Sequence, residues 1–138
     1  AQLLVQIAER EQREKTALLE STSEGIYGVD LRGCCTFING AALRMLGYSA
    51  EECMGQNMHH LIHHTRPNGA PYPEAECFIF QAFREGRGVR SENEVLWRKD
   101  GTAFPALYSS SPVVGDDLPQ GAVVTFADIS EQKAAERA

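Results

Sequence analysis

The chain has 138 residues, of which 43% are hydrophobic, and its 19 acidic and 13 basic residues give a formal net charge of -6. This length and apolar fraction are typical of one globular domain. The negative charge argues against nucleic acid and anionic membrane surfaces, which need a basic face, and no apolar run approaches the roughly 20 residues that span a bilayer.

The four cysteines form no CxxC pair and no spacing typical of a zinc site. They are Cys34, Cys35, Cys53 and Cys77. We interpret them as reduced structural cysteines and expect a cytoplasmic protein. In a strand, the adjacent pair at 34–35 points to opposite faces, which predicts one buried thiol and one exposed thiol.

Residues 1–20 are predicted to form a helix because they are rich in helix formers and lack Gly and Pro. One stripe of this helix contains Leu4, Ile7, Glu11, Glu14 and Leu18. The stripe is apolar at both ends and acidic in the middle. It fits either half of a dimeric coiled coil or a connecting helix that packs on its own domain. It is too short to choose between them, since a coiled coil needs three or four heptads.

Two short strands are predicted over residues 25–30 and 34–38, with a tight turn between them. Asn39 then stands where the N-cap of a helix is expected, and Gly47 follows the last apolar position of that helix as its C-cap. Ser49 has the spacing of a capping box, which predicts one further helical turn.

The order of these elements carries a resemblance. Gly-x-x-x-Val-Asp, a turn, a strand ending in Phe-Ile-Asn, and then Ala-x-x-x-Leu-Gly-Tyr-Ser, Glu and Gly resembles the opening of a PAS domain. The matching residues are Gly25, Val29, Asp30, Phe37, Ile38, Asn39, Ala42, Leu46, Gly47, Tyr48, Ser49, Glu52 and Gly55. Each suits turn formation, helix capping or core packing, so together they specify a fold rather than a chemistry.

All the histidines of the chain lie in one Pro-rich segment. They are His59, His60, His63 and His64. On a helix, the first and third share one face, and the second and fourth share another. This spacing suits zinc or another divalent metal, with Cys77 as a third ligand. The alternative is that the histidines are surface or hydrogen-bonding residues that shape an irregular loop.

Residues 95–98 and 103–114 predict a long hairpin, because both are rich in β-formers and the Asp-Gly pair at 100–101 is a strong turn signal. Pro105 lacks an N–H, so we expect it at an edge or a bulge, where no ladder partner needs a donor. The charged tip of the hairpin, which includes Arg98, is predicted to be a solvated turn.

The last predicted strand, 121–128, is nearly all apolar and leads into an outgoing helix. Asp128 and Ser130 are candidate caps of that helix, and Asp128 has capping-box spacing to Glu131. This junction resembles the Asp-Ile-[Thr/Ser] motif that joins a PAS core to the helix leading into its effector. We therefore predict Asp128 and Ser130 as signalling residues.

The resemblance covers roughly residues 22–133 and implies the α+β PAS fold, with a five-stranded antiparallel sheet in the order 2-1-5-4-3 and short helices over one face. It divides the chain into a linker or dimerisation helix over 1–21, a PAS core over 22–128 and the start of an output helix over 129–138. The resemblance also implies no catalytic group, and in agreement no Ser/His/Asp order, phosphate loop or acid pair stands out in the sequence.

The cup between helices and sheet often holds a ligand in PAS domains. Photoreceptor members carry a flavin-bonding cysteine where this chain has Met58, and asparagines roughly where it has Leu96 and Ala106. A light-driven cysteinyl adduct is therefore excluded, and noncovalent flavin has no support. Haem-binding members usually supply a histidine from the helices over the cup, which makes the four histidines candidate haem or metal ligands. The identity of any cofactor is left open.

The function implied by the resemblance is that of a sensory or regulatory module in a larger signal-transduction protein. It would pass a ligand- or interface-dependent conformational change to a covalently attached effector, such as a histidine kinase or a cyclic-dinucleotide enzyme. Alternatives are a purely structural dimerisation module with a self-filled cup, and a small-molecule-processing enzyme. We predict a homodimer formed through the N-terminal helix, with no nucleic-acid partner and no membrane contact in this segment.

Overall fold

A computed structural model describes residues 2–137, apart from the side chain of Phe83. The α-helices are α1 (Gln2–Glu20), α2 (Gly40–Leu46), α3 (Ala50–Cys53), α4 (Met58–Ile62), α5 (Phe78–Glu85) and α6 (Ser130–Arg137), and a 3₁₀ turn covers Glu74–Glu76. The strands are β1 (Gly25–Val29), β2 (Cys35–Ile38), β3 (Val89–Trp97), β4 (Ala103–Gly115) and β5 (Leu118–Asp128).

The strands form one antiparallel sheet in the order β2-β1-β5-β4-β3, which confirms the predicted PAS topology. Along β4 the buried and less buried side chains alternate, with Phe104, Ala106 and Tyr108 on the buried face. Leu46 of α2 and Ile62 of α4 join the same hydrophobic cluster. One face of the sheet and the short helices over it therefore make the core.

Asn39 joins α1 to two elements of the core, β1 and α2. Its predicted role as a helix cap is confirmed. Its side-chain oxygen accepts hydrogen bonds from the N–H groups of Ala42 (3.0 Å) and Ile26 (2.9 Å). Its amide donates to the carbonyls of Leu19 (2.8 Å) and Glu24 (3.1 Å). The fully buried side chain thus ties the end of α1 to β1 and α2.

Other local predictions are also confirmed. Gly47 ends α2 in the left-handed conformation (φ 79°), which glycine adopts without steric cost. Ser49 and Glu52 form the reciprocal bonds of a capping box at the start of α3. Of the adjacent thiols, Cys35 is buried and Cys34 is partly exposed.

Pro105 lies on β4, an interior strand, so the predicted edge or bulge position is wrong. Proline is tolerated because the β4–β5 ladder begins only at the next residue, where Ala106 pairs with Asp128. The carbonyl of Pro105 accepts the N–H of Ile129 at 3.0 Å. The carbonyl of Ile129 accepts the N–H of Lys133 at 2.9 Å, at the start of α6, and so has a donor without Pro105.

The flanking helices differ from the core. The predicted N-terminal helix is present as α1, but neither α1 nor α6 contains a buried residue. Leu3, Leu4 and Leu18 of α1 are 67%, 71% and 73% exposed. The end of α1 is held by Asn39 and by Glu20, which accepts the N–H of Gly40 at 2.7 Å. No helix in the described part of the chain is long and apolar enough to cross a bilayer.

Candidate functional site

The four histidines divide into a buried pair and an exposed pair. His59 lies in α4 and His63 is its C-cap residue; they are 9% and 2% exposed. His60 and His64 are exposed. The i, i+4 spacing therefore does bring His59 and His63 onto one face, and that face points into the cup. The other pair points outward.

Of the exposed pair, His64 contributes to the loop, as one of the two sequence interpretations proposed. The ring of His64 stacks on Trp97 with centroids 5.6 Å apart and planes 26° apart. Its Nδ1 lies 2.6 Å from the hydroxyl oxygen of Thr65, and Trp97 donates its indole N–H to the carbonyl of Thr65 at 3.0 Å. These contacts fasten the segment after α4 to the sheet.

The buried pair meets Cys77, which lies between the 3₁₀ turn and α5 and is 2% exposed. The sulfur of Cys77 is 3.3 Å from Nδ1 of His63. One ligand atom from each of Cys77, His63 and His59 lies within 4.8 Å of the other two. Two buried imidazoles and one buried thiol thus lie close enough together to contact one small ligand.

The hydrogen bond of His59 fixes its tautomer. Its Nε2 is 2.6 Å from the backbone carbonyl of Tyr72, and a carbonyl only accepts, so Nε2 carries the proton and donates. In the neutral ring, Nδ1 then keeps its lone pair. That nitrogen is buried and has no hydrogen-bond partner among the described residues. A buried acceptor nitrogen without a hydrogen-bond donor costs free energy. A neutral imidazole with a free lone pair is also the form that binds a metal ion.

Glu94 of β3 is the residue that sequence analysis missed. Its Oε1 lies 3.6 Å from Nε2 of His63, an ion-pair distance slightly longer than a hydrogen bond. Its Oε2 accepts the hydroxyl of Tyr108. Burial raises the pKa of Glu94, but His63, Tyr108 and Tyr72 outweigh it and lower that pKa to about 2. Glu94 is therefore a carboxylate inside the cup.

The Cys77 thiol and the His63 imidazole also shift each other's pKa. Burial raises the pKa of the Cys77 thiol, but the imidazoles of His59 and His63 outweigh burial and lower it below its usual range. Burial lowers the pKa of His63, but Cys77 and Glu94 outweigh it and raise that pKa. We call the buried residues His59, His63 and Cys77, together with the partly buried Glu94, the buried cluster.

A small cavity of about 20 Å³ adjoins the buried cluster. Its lining includes Met58, His59, His63, Cys77 and Ile79. About 10–15 Å³ of such space holds one water molecule, whereas pockets for small organic ligands occupy about 300–1,000 Å³. The cavity therefore favours a water or an ion over haem or flavin.

The two predicted signalling residues meet at the junction of β5 and α6. Oδ1 of Asp128 accepts the N–H of Ser130 at 2.9 Å and also its hydroxyl. The capping-box spacing suggested the N–H of Glu131, but the Asp128 bond goes to the residue before it. Asp128 thus holds the first turn of α6 against the end of the sheet.

The predicted solvated turn is correct for Lys99 and Asp100, which are exposed, but it is wrong for Arg98, which is partly buried. Its Nε donates to the carbonyl of Met45 (3.1 Å) and its Nη1 to the hydroxyl of Thr102 (3.1 Å). Its guanidinium lies 4.6 Å from the ring centroid of Phe104, and its Nη2 is 3.3 Å from Oδ2 of Asp128. The hairpin tip is therefore fastened both to α2 and to the junction.

The buried cluster and the junction occupy one row of the sheet. Glu94 on β3 pairs with Ala106 on β4, and Ala106 pairs with Asp128 on β5. Directly opposite residues of an antiparallel ladder point to the same face, and adjacent strands are about 4.8 Å apart. Glu94 and Asp128 are thus two strand spacings apart, or roughly 10 Å. A register shift between Ser91 and Glu94 sets which residue of β3 faces the cup.

Two known proteins have sequences similar to this chain. The chain is 27% identical over 116 residues to a probable diguanylate cyclase, DgcE, of Escherichia coli, and 26% identical over 123 residues to the sensor protein CitS of Halalkalibacterium halodurans. These alignments cover 83% and 88% of the chain but only 10% and 20% of the relatives, so the chain spans a small part of either protein.

The fold also matches solved structures. The PAS domain of an HTR-like protein from Haloarcula marismortui superposes with a TM-score of 0.70 at 17% identity, over 94% of this chain and all of that one. The family model described as the PAS fold matches residues 13–129, which is most of the sequence. The chain therefore belongs to the PAS family of sensory signalling domains.

Proposed function

We propose that this PAS domain is the regulatory input of a larger signalling protein, in which a change at the buried cluster is passed through β3, β4 and β5 to α6. The observation that carries the proposal is the row Glu94–Ala106–Asp128, which joins the cluster to the strand-to-helix junction. Asp128 and Ser130 act as signalling residues because they set the direction in which α6 leaves the sheet.

The physical mechanism is a population shift between two packings of the sheet against α6. Glu94 is held by Tyr108 of β4 and by the charge of His63. A ligand or charge change that alters these bonds changes how β3 sits on β4. Arg98, at the end of β3, then shifts relative to Asp128, to which it is bonded. The output is the position of α6.

The attached effector is proposed from the relatives. One is named as a probable diguanylate cyclase and the other as a sensor protein, and each is much longer than the aligned region. We propose a covalently linked cyclic-dinucleotide enzyme or histidine kinase in the cytoplasm. In this scheme residues 1–21 link or dimerise, 22–128 form the sensory core, 129–138 begin the output helix, and this domain has no catalytic role of its own.

Homodimerisation through α1 is part of the proposal. Leu4 and Ile7 at one end and Leu18 at the other are exposed on one stripe of a helix whose remaining residues are mostly charged or polar. Pairing of two such helices would bury these side chains, which a single chain leaves in water.

A purely structural dimerisation module is the second candidate. The small volume of the cavity, about 20 Å³, favours it because the cup is largely filled by its own side chains. This candidate assigns no signalling role to the buried cluster. It therefore predicts that changes there alter stability without altering effector output.

The experiment is a pair of substitutions in the full-length protein. Glu94→Gln removes the carboxylate charge of a partly buried residue at nearly constant shape, and Glu92→Gln is the matched control because Glu92 is an exposed residue of the same strand. We expect Glu94→Gln to change basal or stimulated effector activity several-fold, with Glu92→Gln close to wild type. Equal output from both variants, at equal protein level, would support the structural module instead.

A further inference from the structure

We propose that His59, His63 and Cys77 form a binding site for a divalent transition metal, with Zn²⁺ as the ion that the donors suit best. Imidazole nitrogen and thiolate sulfur are the ligands that zinc takes in proteins, with three protein ligands and one open position in exchangeable sites. The ligand atoms of these three residues already lie within 4.8 Å of one another, and all three residues are buried.

The outward nitrogen of His59 has a hydrogen-bond acceptor, and that of His63 faces a carboxylate at ion-pair distance, as is typical of metal-binding histidines. His59 donates from Nε2 to the carbonyl of Tyr72, so its Nδ1 is left as the ligand atom. His63 has Nε2 3.6 Å from the carboxylate of Glu94 and Nδ1 3.3 Å from the sulfur of Cys77. A carbonyl or carboxylate behind each histidine fixes the ring and increases its basicity. Glu94 therefore acts as a positioning residue.

An unpartnered buried nitrogen is the second observation. Nδ1 of His59 has no hydrogen-bond partner among the described residues, although the residue is only 9% exposed. A metal ion at the point where the three residues meet would accept this lone pair. The protein thus has a group in place for which its own described atoms provide no partner.

The adjoining cavity supplies the open position. Its volume of about 20 Å³ has room for one water molecule, and its lining includes all three proposed ligands. A tetrahedral ion with two nitrogens, one sulfur and one water matches this arrangement. A large ligand does not fit the same space.

Binding is balanced by the release of one proton. His63 faces Cys77 with Nδ1, 3.3 Å from the sulfur, and faces Glu94 with Nε2, 3.6 Å from the carboxylate. A divalent ion binds a thiolate and a neutral imidazole, so the one proton that Cys77 and His63 share between Sγ and Nδ1 leaves to solvent, and His63 keeps its Nε2 proton toward Glu94. This step would change the charge beside Glu94, which is the residue that the proposed function places at the start of the route to α6. The inference names a ligand for that function, and to that extent rests on it.

Binding is tested on the 138-residue chain alone, so its outcome is separate from effector output. Co²⁺ is the probe, because a thiolate ligand gives a sulfur-to-cobalt charge-transfer band and tetrahedral geometry gives intense visible bands. We expect one equivalent per chain, displacement by Zn²⁺, and an increase in melting temperature. Cys77→Ser should remove the charge-transfer band, and His59→Ala should weaken binding at least tenfold.

The chain offers a matched control. The double variant His60→Ala, His64→Ala removes an exposed pair of the same spacing and should bind Co²⁺ as wild type does. X-ray absorption of zinc-loaded wild-type protein needs no variant and should show one sulfur and two imidazole ligands. The proposal is overturned if no equivalent binds, if zinc has no sulfur ligand, or if the exposed pair is the one that binding requires. If metal binds stoichiometrically but effector output does not change, the metal site is retained and the proposed route from the buried cluster to α6 is refuted.

Discussion

The core buries Leu46, Ile62 and Phe104 to 1% exposure or less, whereas α1 and α6 contain no buried residue. Both kinds of region are helical in part, so the difference is one of packing and not of secondary structure. A helix in water gains most of its stability from an apolar face packed on another element. The core is therefore expected to fold by its own contacts. The flanking helices are expected to pack their apolar side chains on other chains or domains.

The largest effect should come from the centre of the core. Phe126→Ala removes a ring that is 1% exposed and that contacts Tyr27 and Phe104, with centroids 6.0 and 6.4 Å away. We expect a loss of about 3–5 kcal/mol in the free energy of unfolding, measured by urea denaturation. Leu18→Ala on α1 should change it by less than about 0.5 kcal/mol. Similar losses from both would remove the contrast between core and flank.

The boundary between the regions should show an intermediate effect. Asn39→Ala deletes four hydrogen bonds and leaves buried backbone groups of β1 and α2 without partners. We expect a loss of about 2–3 kcal/mol. The control is Asn68→Ala in an exposed turn, where a loss below about 0.5 kcal/mol is expected. A cost for Asn39→Ala no greater than that of the control would show that α1 is not held in this way.

A smaller effect is expected at the junction. Asp128→Ala removes the acceptor for the first N–H of α6 and the contact with Arg98, at a cost of about 1 kcal/mol. Asp128→Asn retains an acceptor but loses the charge, so it separates capping from ion pairing. We expect the core to unfold cooperatively in both variants, with α6 less helical by NMR in Asp128→Ala. An unchanged α6 in that variant would exclude a capping role.

The smallest effect on unfolding should come from α1. A chain that begins at Ser21 should retain the urea midpoint of the core within about 0.5 kcal/mol, because α1 buries no residue. It should nevertheless lose the dimer, as read by size-exclusion chromatography with light scattering. Ile7→Glu, which places a charge on the exposed stripe, should weaken the dimer in the full chain. The same oligomeric state with and without α1 would contradict dimerisation through this helix.

Sequence predicted those features that neighbouring residues determine. The caps at Asn39, Gly47 and Ser49 depend on residues within a few positions. The i, i+4 spacing proposed two histidine pairs with Cys77 as a third group, and only the structure shows that His59 and His63 are the pair beside Cys77. Arg98 and Glu94 were missed because their roles depend on partners more than ten positions away. Glu94 stands in a polar stretch of β3 typical of an exposed strand, and the register shift before it is not visible in the pattern.

Pro105 shows a further limit. The rule that proline avoids positions that need an N–H donor is correct, but the place where the β4–β5 ladder ends depends on the register of β5. Sequence periodicity does not determine which residue of β5 is opposite which residue of β4. The same register places Asp128 on the row of Glu94. The proposed route from the buried cluster to α6 therefore could not be predicted from the sequence.

The most direct test of the account is amide hydrogen exchange in α6 of the 138-residue chain. The claim is that the buried cluster controls the junction through the row Glu94–Ala106–Asp128. With Glu94→Gln, we predict several-fold faster exchange at residues 133–137, and with the exposed control Glu92→Gln we predict wild-type exchange. Identical protection of α6 in wild type and Glu94→Gln, with exchange changed only around β3, would contradict the claim.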